Sequence, residues 1–384
     1  MHEAESRPRW IVRMTPRSPD EPHRTATPLE LFFDLVFVVA VAQAAAALHH
    51  GIAEGHAADA LVSFALVFFA IWWAWMSFTW FAASYDTDDI PYRLLVFVQM
   101  TGALIVASGV EPVFEHRDFT LPVLGYIIMR AAEVTQWLRA AYSDPTHRQT
   151  ALRYALGIGL CQVAWSLLLV LPVSLRVPAF LLFALAELLV PLWAERVTYT
   201  TWQPHHIQER YGLFTILVLG EAIVSTSFAI QAALGAGEMN PLIGPLVGSL
   251  LVVYALWWLY FYQSGRRLTL SRRDTFIWSY GHFFVFSATA AVGAGLAVVL
   301  DQITHHAEIS ATEAGMALAI PAAVYVVWLW ILREHPLATT LFDRLVFPVT
   351  AALILLTPFT EQAVLLTGIL LSILVVIRLV RRLE

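Results

Sequence analysis

Ionisable side chains occur inside several long apolar runs of this sequence, where the chemistry open to them is binding of a proton or a small cation. An ionisable group at the centre of a lipid bilayer costs about 2.5 to 3.5 kcal/mol, so each such residue needs a partner or a purpose. We therefore predict a wet path through the protein. The candidates that would line this transport path are Glu30, Asp34, Glu187, Glu221 and His282.

Two pairs of charges are spaced to share one face of a helix. Glu30 and Asp34 are four residues apart, and Arg130 and Glu133 are three apart and can pair along their helix. Two interpretations stay open for Arg130, Asp34 and Glu133: they form an ion-pair lock between helices, or they belong to the path. Arg130 cannot neutralise every intramembrane acid, so at least one acid should be protonated, hydrated or hydrogen-bonded. Glu221 has no cation close in sequence, which favours a function for it.

Other residue types offer weaker chemistry. In the pairs Trp72-Trp73 and Trp257-Trp258, Trp73 and Trp258 are candidates for a gate, although such residues more often belong to a core. Adjacent histidines occur in loops, where they rarely share a metal without an orienting carboxylate, so we expect no metal site. No hydrolase, protease or nucleotide-binding motif stands in a supporting context, and we expect neither enzyme activity nor a cofactor.

The elements that must position these residues are transmembrane helices. Of the 384 residues, 59% are hydrophobic and 14% charged, a composition of a membrane protein rather than a soluble domain. We predict an all-α, polytopic transmembrane helix bundle in contact with the lipid bilayer, with no nucleic-acid partner. Apolar runs of about 20 residues, the length of one span, lie near 29–48, 59–82, 92–111, 119–142, 153–171, 177–195, 210–232, 244–263, 276–299, 313–333, 343–357 and 362–380. The eleventh contains Pro348 and ends at Pro358, so we expect a broken or short helix there.

The distribution of arginine predicts the orientation of the spans. All 23 basic residues are arginine, and the two termini and the alternate connections between spans together hold twenty of them, against two, Arg117 and Arg176, on the other side. Arginine is enriched in cytoplasmic loops. We therefore expect a multi-pass protein of the cell inner (cytoplasmic) membrane with both termini in the cytoplasm. Residues 1–28 would form an Arg-rich N-terminal tail, which lacks the apolar core of a cleavable signal.

The spans are predicted to form two parallel repeats of six helices, at 29–197 and 198–384. The segment VFFAIWWAW at 67–75 matches VVYALWWLY at 252–260 with both tryptophans in register, in the second and eighth spans. Glu30 and Glu209 likewise open the first and seventh spans, each followed two residues later by an aromatic residue. Parallel repeats are related by an axis along the membrane normal, which often encloses a transport pathway.

Two segments resemble signatures of the bacterial low-temperature-requirement A family. Residues 28–38, PLELFFDLVFV, are similar to its opening helix, and residues 209–221, ERYGLFTILVLGE, to its second signature. The motif positions are Phe32, Phe33, Glu209, Arg210 and Gly220. The resemblance extends over nearly the whole chain from about residue 25. It implies a membrane protein associated with growth in the cold, and it implies no particular molecular activity.

The first helix is also similar, more distantly, to potassium channels whose first helix carries a Phe-Ser-Asp motif and whose animal members have two six-helix repeats. Phe32, Phe33 and Asp34 would occupy the motif, with Phe33 in the serine position. That departure removes a hydroxyl group from the motif's polar network, and the second half has no aspartate at the matching position. The resemblance therefore implies a shared architecture rather than a shared selectivity.

The sequence is compatible with two functions of different classes. The first is an ion channel or proton-coupled transporter that uses the intramembrane carboxylates. The second is a non-transporting membrane protein that senses or organises lipid during cold adaptation, in which the acids are held in ion pairs and the aromatic faces meet lipid. The sequence does not indicate which ion would be carried or the oligomeric state.

Overall fold

The computed structural model describes residues 10–18, 21, 24–235, 240–262, 272–335 and 338–383, and over these residues it is all-helical without a strand. The predicted fold class is therefore confirmed. The α-helices are α1 Pro28–Ala53, α2 Ala57–Tyr85, α3 Ile90–Ser108, α4 Val110–His116, α5 Thr120–Ser143, α6 Arg148–Leu167, α7 Val173–Ala194, α8 Pro204–Gly235, α9 Asn240–Phe261, α10 Arg272–Ile303, α11 Ala311–Leu329, α12 Leu341–Ile354 and α13 Ala363–Leu383.

Most of these helices match the predicted spans one for one. Helices α3 and α4 meet at Gly109 and together form the third span. Within the described residues, 11 helical segments are long and apolar enough to cross a membrane. Helix α5 is not among them, because Arg130 and Glu133 in its middle lower its hydropathy. It is nevertheless 24 residues long and packs on α3 and α6, as the fourth span should.

The eleventh predicted span is a short helix, α12, of 14 residues. Thr340 and Asp343 form a capping box at its start, in which each side chain accepts a hydrogen bond from the other residue's backbone N–H. The chain then passes through a 3₁₀ turn, Thr357–Phe359, before α13. Pro348 lies within the helix and Pro358 within the turn, so the structure agrees with the expected interruption.

The chain divides into two compact units. The first comprises Met1–Ala40 and Leu66–Tyr211. Within it α3 packs on α5, α5 on α6, and α6 on α7. Helices α3 and α5 approach closely at two glycines: a Cβ added at Gly102 would lie 2.5 Å from the Gly125 carbonyl oxygen. Small residues permit such close backbone contact in membrane helices.

The second unit comprises Val41–Ala65 and Gly212–Glu384. Within it α10 packs on α11, α11 on α12, and α9 on α13. Its close approaches again use glycine: a Cβ at Gly295 of α10 would lie 2.3 Å from the Ala317 carbonyl oxygen of α11. These two units do not coincide with the two predicted repeats, 29–197 and 198–384. The repeats stay a prediction.

The segment from Trp10 to Ser18 belongs to the first unit and packs against the helix ends there. Met14 is fully buried, the Val12 N–H donates to Asp89 Oδ2 at 2.8 Å, and the Arg17 N–H donates to the Ser84 carbonyl at 2.9 Å. This part of the predicted N-terminal tail is thus attached to the helix ends rather than extending away from them.

Candidate functional site

The first candidate site begins at the start of α1, where Thr27 and Glu30 cap the helix reciprocally. The Thr27 N–H donates to Glu30 Oε2 at 2.8 Å, and the Glu30 N–H donates to Thr27 Oγ1 at 3.2 Å. Such a capping box satisfies N–H groups that the first helical turn cannot pair internally. It also fixes the Glu30 carboxylate at the helix end, one turn before Asp34.

Arg210 of α8 pairs with both of these acids. Its Nη2 lies 2.5 Å from Asp34 Oδ1, its Nε 3.3 Å from Asp34 Oδ2, and its Nη1 2.9 Å from Glu30 Oε1. None of the three side chains is more than 1% exposed. A guanidinium suits this role because its planar fork of donors matches two carboxylate oxygens at once.

Further donors complete this group, which we call the Arg210 cluster: Glu30, Asp34, Trp75, His206 and Arg210. The Trp75 indole N–H donates to Asp34 Oδ1 at 2.7 Å, and His206 Nε2 lies 3.1 Å from Glu30 Oε1. His206 and Arg210 are one helical turn apart on α8. The first turns of α8 therefore bring a guanidinium and an imidazole to the two acids of α1.

Arg24 and Asp86 border the Arg210 cluster. Arg24 donates through both Nη atoms to the carbonyls of Ala82 and Ala83, at 2.8 Å each, in the last turn of α2. Its Nη2 also lies 3.5 Å from Asp86 Oδ2 and 4.0 Å from Glu30 Oε1. Burial raises the pKa of Asp86 to about 6, and the charge of Glu30 adds to this shift, against the opposing effect of Arg24 and Arg17.

The second candidate site, the Arg130 cluster, consists of Tyr126, Arg130 and Glu133 on α5 and Glu187 on α7. Arg130 Nη1 lies 2.5 Å from Glu133 Oε2, and Nη2 donates to the Tyr126 hydroxyl at 2.6 Å and lies 3.4 Å from Glu187 Oε2. The charged side chains are at most 4% exposed. The pair of Arg130 and Glu133 predicted along one helix is present, and Glu187 joins it from another helix.

Glu187 is surrounded by nitrogen donors. The Trp73 indole N–H donates to its Oε2 at 2.8 Å, and the Trp165 indole N–H donates to its Oε1 at 3.1 Å. Gln162 Nε2 donates to the same Oε1 at 3.3 Å. Trp73, which the sequence offered as a gate, is 2% exposed and makes this hydrogen bond to Glu187.

One of the two interpretations left open by the sequence joined Asp34 to Arg130 and Glu133 in a single lock. The structure does not have this arrangement, because Asp34 pairs with Arg210 in a separate cluster. Arg210 had been counted among the loop arginines because the seventh span was predicted to begin there. The helix begins at Pro204, so Arg210 lies inside it and is fully buried. The spacing of His206 and Arg210, one turn apart, was the available signal.

The remaining transport-path candidates belong to the second unit. His282 of α10 is fully buried; its Nδ1 lies 2.7 Å from the Trp278 carbonyl oxygen, and its Nε2 lies 3.2 Å from the Tyr260 hydroxyl. Arg333 donates to the Tyr260 carbonyl and lies over its ring, with Cζ 4.1 Å from the centroid. The side chain of Glu221 lies outside the described residues.

The other motif and gate residues have contrasting surroundings. Phe33 is fully buried and stacks on Phe37, with the ring centroids 4.5 Å apart, whereas Phe32 is half exposed. Trp258 is 43% exposed, unlike its proposed counterpart Trp73. A Cβ added at Gly220 would meet nothing within 4 Å, so packing does not require a glycine there.

Among the described residues no group of three or more His, Cys, Asp or Glu side chains is arranged to hold a metal ion. The adjacent histidines illustrate this: His49 Nε2 lies 2.6 Å from Asp301 Oδ2, and the His49 ring stacks on His50. This is one imidazole paired with one carboxylate, an arrangement suited to a hydrogen bond between two helix ends.

Comparison with known proteins identifies the family. The model of the bacterial low temperature requirement A protein (LtrA) matches residues 25–380. The chain belongs to the LtrA family. The two segments that resemble LtrA signatures in the sequence contribute Asp34 and Arg210, which meet in the Arg210 cluster. The more distant similarity to potassium channels stays a prediction, because the family match concerns LtrA alone.

A relative in Rhizobium meliloti (strain 1021), itself an uncharacterized protein, is 28% identical over 279 residues. The similarity covers 66% of this chain and 64% of the relative, so less than two thirds of that protein is matched. Membership of the LtrA family establishes a bacterial multi-pass membrane protein, and the activity follows from neither the family name nor this relative.

Proposed function

We propose that this LtrA-family protein is a proton-coupled transporter of the inner membrane, in which buried carboxylates bind and release the coupling proton. The observation that carries the proposal is the composition of the two clusters. Each sets two buried carboxylates around one buried guanidinium. The Arg130 cluster reaches neutrality by taking up one proton or one cation, whereas the charge balance of the Arg210 cluster also depends on Arg24 and His206 beside Glu30.

The energetic argument is strongest for the Arg130 cluster, where all the charged groups are at most 4% exposed. A buried charge without a counter-charge costs several kcal/mol even after relaxation. With Glu133 and Glu187 both ionised, Arg130 neutralises only one of them. Uptake of a proton removes the excess charge, which makes the cluster a proton-binding site in the membrane interior.

The Arg210 cluster supplies a mechanism for coupling. Arg210 of α8 holds Glu30 and Asp34 of α1, so its contacts join the starts of two helices. A proton on Asp34 would weaken its attraction to Arg210 and leave Glu30 as the main partner. A protonation event thereby weakens the contact between α1 and α8, and such a difference in proton affinity between two arrangements is the requirement for a ligand to shift a conformational equilibrium.

The carried species is a proton, alone or with a second small solute, rather than a bare potassium ion. In the channel-like motif, Phe33 packs against aromatic rings and Asp34 is covered by Arg210 and Trp75. A guanidinium at 2.5 Å from Asp34 opposes a cation at the same carboxylate. Potassium conduction along this surface would require the ion pair to open first.

We keep the twelve-span, two-repeat architecture as part of the proposal. It is supported by similar packing in the two halves: α3 meets α5 at Gly102 and Gly125, and α10 meets α11 at Gly295 and Ala317. These are the third and fourth spans of each predicted repeat. The arginine distribution supports cytoplasmic termini, and with them a cytoplasmic position for the start of α1 and for the Arg210 cluster.

The second candidate is a non-transporting protein that senses or organises lipid. The observation that favours it is the saturation of Glu187, whose two oxygens accept from two indoles, an amide and a guanidinium. In this alternative the clusters lock helices together and never exchange a proton. Neutralising an acid would then change stability without changing any flux.

The proposal is tested by measuring proton and potassium flux separately in liposomes that contain the purified protein. We expect proton flux in the wild type that Asp34→Asn and Glu187→Gln each abolish, while Glu361→Gln, at an exposed position, leaves it unchanged. Size-exclusion profiles and circular dichroism establish that each variant is folded. Equal flux in all four proteins would contradict a role for the buried acids.

A further inference from the structure

We propose that Glu133 is the residue that holds the exchangeable proton of the Arg130 cluster and that Glu187 remains ionised. The assignment itself depends on the hydrogen-bond geometry of the cluster. Its meaning for transport rests on the proposed function. The sequence left Glu133 with two roles, as a partner of Arg130 in an ion-pair lock or as part of the path, and named no residue as the one that holds the proton.

The first step is the state of Glu187. Trp73 donates to Oε2 at 2.8 Å and Trp165 donates to Oε1 at 3.1 Å, so each oxygen of this carboxylate faces an indole N–H. An indole nitrogen only donates, and so does the guanidinium of Arg130 that lies 3.4 Å from Oε2. A proton on either oxygen would point at a donor hydrogen. Glu187 is therefore built to be the anion.

The second step is the state of Glu133. Its Oε2 accepts from Arg130 Nη1 at 2.5 Å, and the Trp137 indole, one turn along α5, is a second donor to its carboxylate. Glu187 has four donors, so Glu133 keeps lone pairs that can carry a proton. A protonated carboxylic acid keeps its other oxygen as an acceptor, so the hydrogen bond to Arg130 survives protonation. The geometry thus accommodates the acid form of Glu133 and the ionised form of Glu187 at the same time.

The third step is what release of the proton does. Deprotonation of Glu133 leaves two anions competing for Arg130, whose Nη1 lies beside Glu133 and whose Nη2 lies beside Glu187. The guanidinium is then drawn toward Glu133 on its own helix and away from Glu187. The tie between α5 and α7 weakens when the proton leaves and strengthens when it returns. This gives the proton a mechanical consequence.

The test uses dicyclohexylcarbodiimide, an apolar reagent for carboxylic acids in membranes. The acid's oxygen adds to the carbodiimide carbon while a nitrogen of the reagent takes the acid's proton, and an ionised carboxylate does not react. After treatment in liposomes at pH 7.5, peptide mass spectrometry should find Glu133 modified at least about tenfold more than Glu187. Modification of Glu187 in preference to Glu133 would overturn the assignment.

Two variants make the test specific. Glu187→Gln leaves one acid beside Arg130, so Glu133 should become ionised and its labelling should fall about tenfold. Glu133→Gln leaves the pair of Glu187 and Arg130, and Glu187 should stay unlabelled. Equal labelling of Glu133 in wild type and Glu187→Gln would contradict the shared-proton argument.

Infrared spectroscopy tests the same assignment if dicyclohexylcarbodiimide does not reach the Arg130 cluster. The carbonyl stretching band of buried protonated acids should be weaker in Glu133→Gln than in the wild type; a band of unchanged intensity would overturn the inference. The outcomes also separate the two proposals. Labelling of Glu133 without proton flux would support the assignment and contradict transport. Proton flux with labelling at Glu187 would support transport and contradict the assignment.

Discussion

Arg210 of α8 lies 2.5 Å from Asp34 of α1, with both side chains fully buried. The two residues are separated by 176 positions in the sequence, yet both fall in segments that resemble signatures of the LtrA family. The most specific local sequence patterns of the chain thus encode the two sides of one ion pair.

This ion pair should contribute strongly to stability. Replacing Arg210 by Met leaves Asp34 and Glu30 without their main counter-charge, and removing one partner of a buried pair costs about 3 to 5 kcal/mol. We expect a correspondingly lower unfolding free energy in detergent. Asp34→Asn added to Arg210→Met should recover part of the loss, since one uncompensated acid is gone.

The exposed pair of Arg93 and Asp88 provides the control for this measurement. Its side chains are 47% and 50% exposed, and an exposed pair is worth about 0 to 1 kcal/mol. Arg93→Gln should therefore leave the unfolding free energy nearly unchanged. If Arg210→Met were no more destabilising than Arg93→Gln, the buried pair would not be holding α1 and α8.

The donors to Glu187 should be needed to keep it ionised. Trp165→Phe removes an N–H that lies 3.1 Å from Glu187 Oε1, and a hydrogen bond to a charged group is worth about 1.5 to 3 kcal/mol. We expect a loss of stability in this range and increased carbodiimide labelling of Glu187. Trp193→Phe, at a tryptophan 37% exposed, is the matched control and should show neither effect.

The glycine contact between α3 and α5 should not tolerate a methyl group. At Gly102 an added Cβ would lie 2.5 Å from the Gly125 carbonyl oxygen, which is backbone and cannot move aside cheaply. Gly102→Ala should destabilise the protein by about 1 to 3 kcal/mol, the usual cost of overpacking. A Cβ added at Gly159 of α6 would have nothing within 4 Å, so Gly159→Ala should be neutral or slightly stabilising. Thermal unfolding of both variants and the wild type checks this.

Asp86 should make stability fall as the pH rises from about 4 to about 6. Its pKa is raised from 3.8 to about 6 in the folded protein, so the folded state binds the proton more tightly than the unfolded state between these values. The stabilisation is complete below the unfolded pKa and is lost as the pH passes the folded pKa. The charged groups that set this value are Arg17, Arg24, Glu30 and Asp88.

The pH effect of Asp86 is isolated by a difference measurement. Wild type and Asp86→Asn are unfolded in detergent at pH 4.5 and pH 6.5, and the change between the two pH values is compared. We expect the wild type to lose about 1 to 3 kcal/mol more than the variant. A larger loss in Asp86→Asn would reverse the sign and contradict the raised pKa.

Hydropathy predicted the helices well because each span is a long local apolar run. The exceptions have physical causes. Residues 204–209 are polar and lie before the predicted seventh span, yet they form the start of α8, where His206 and Arg210 pair with buried acids of α1. The interruption near α12 was predictable from Pro348 and Pro358, since a proline's effect on a helix is local.

The candidate sites were predictable only in part. Glu30 with Asp34 and Arg130 with Glu133 are each about one helical turn apart, so their proximity follows from the sequence. The pairing of Arg130 with Glu187 joins positions 57 residues apart, and nothing in the local pattern specifies it. Long-range pairing of charges depends on how helices pack, which a single sequence does not reveal.

The measurement that tests the central claim most directly is proton flux into liposomes containing the purified wild-type protein, followed by a pH-sensitive dye trapped inside. With an imposed pH gradient and valinomycin to dissipate the membrane potential, we predict acidification well above that of protein-free liposomes and a return to their rate in Glu187→Gln. Acidification no faster than in protein-free liposomes would contradict proton transport driven by a proton gradient alone; if addition of candidate solutes also produced no flux, the buried clusters would be helix locks.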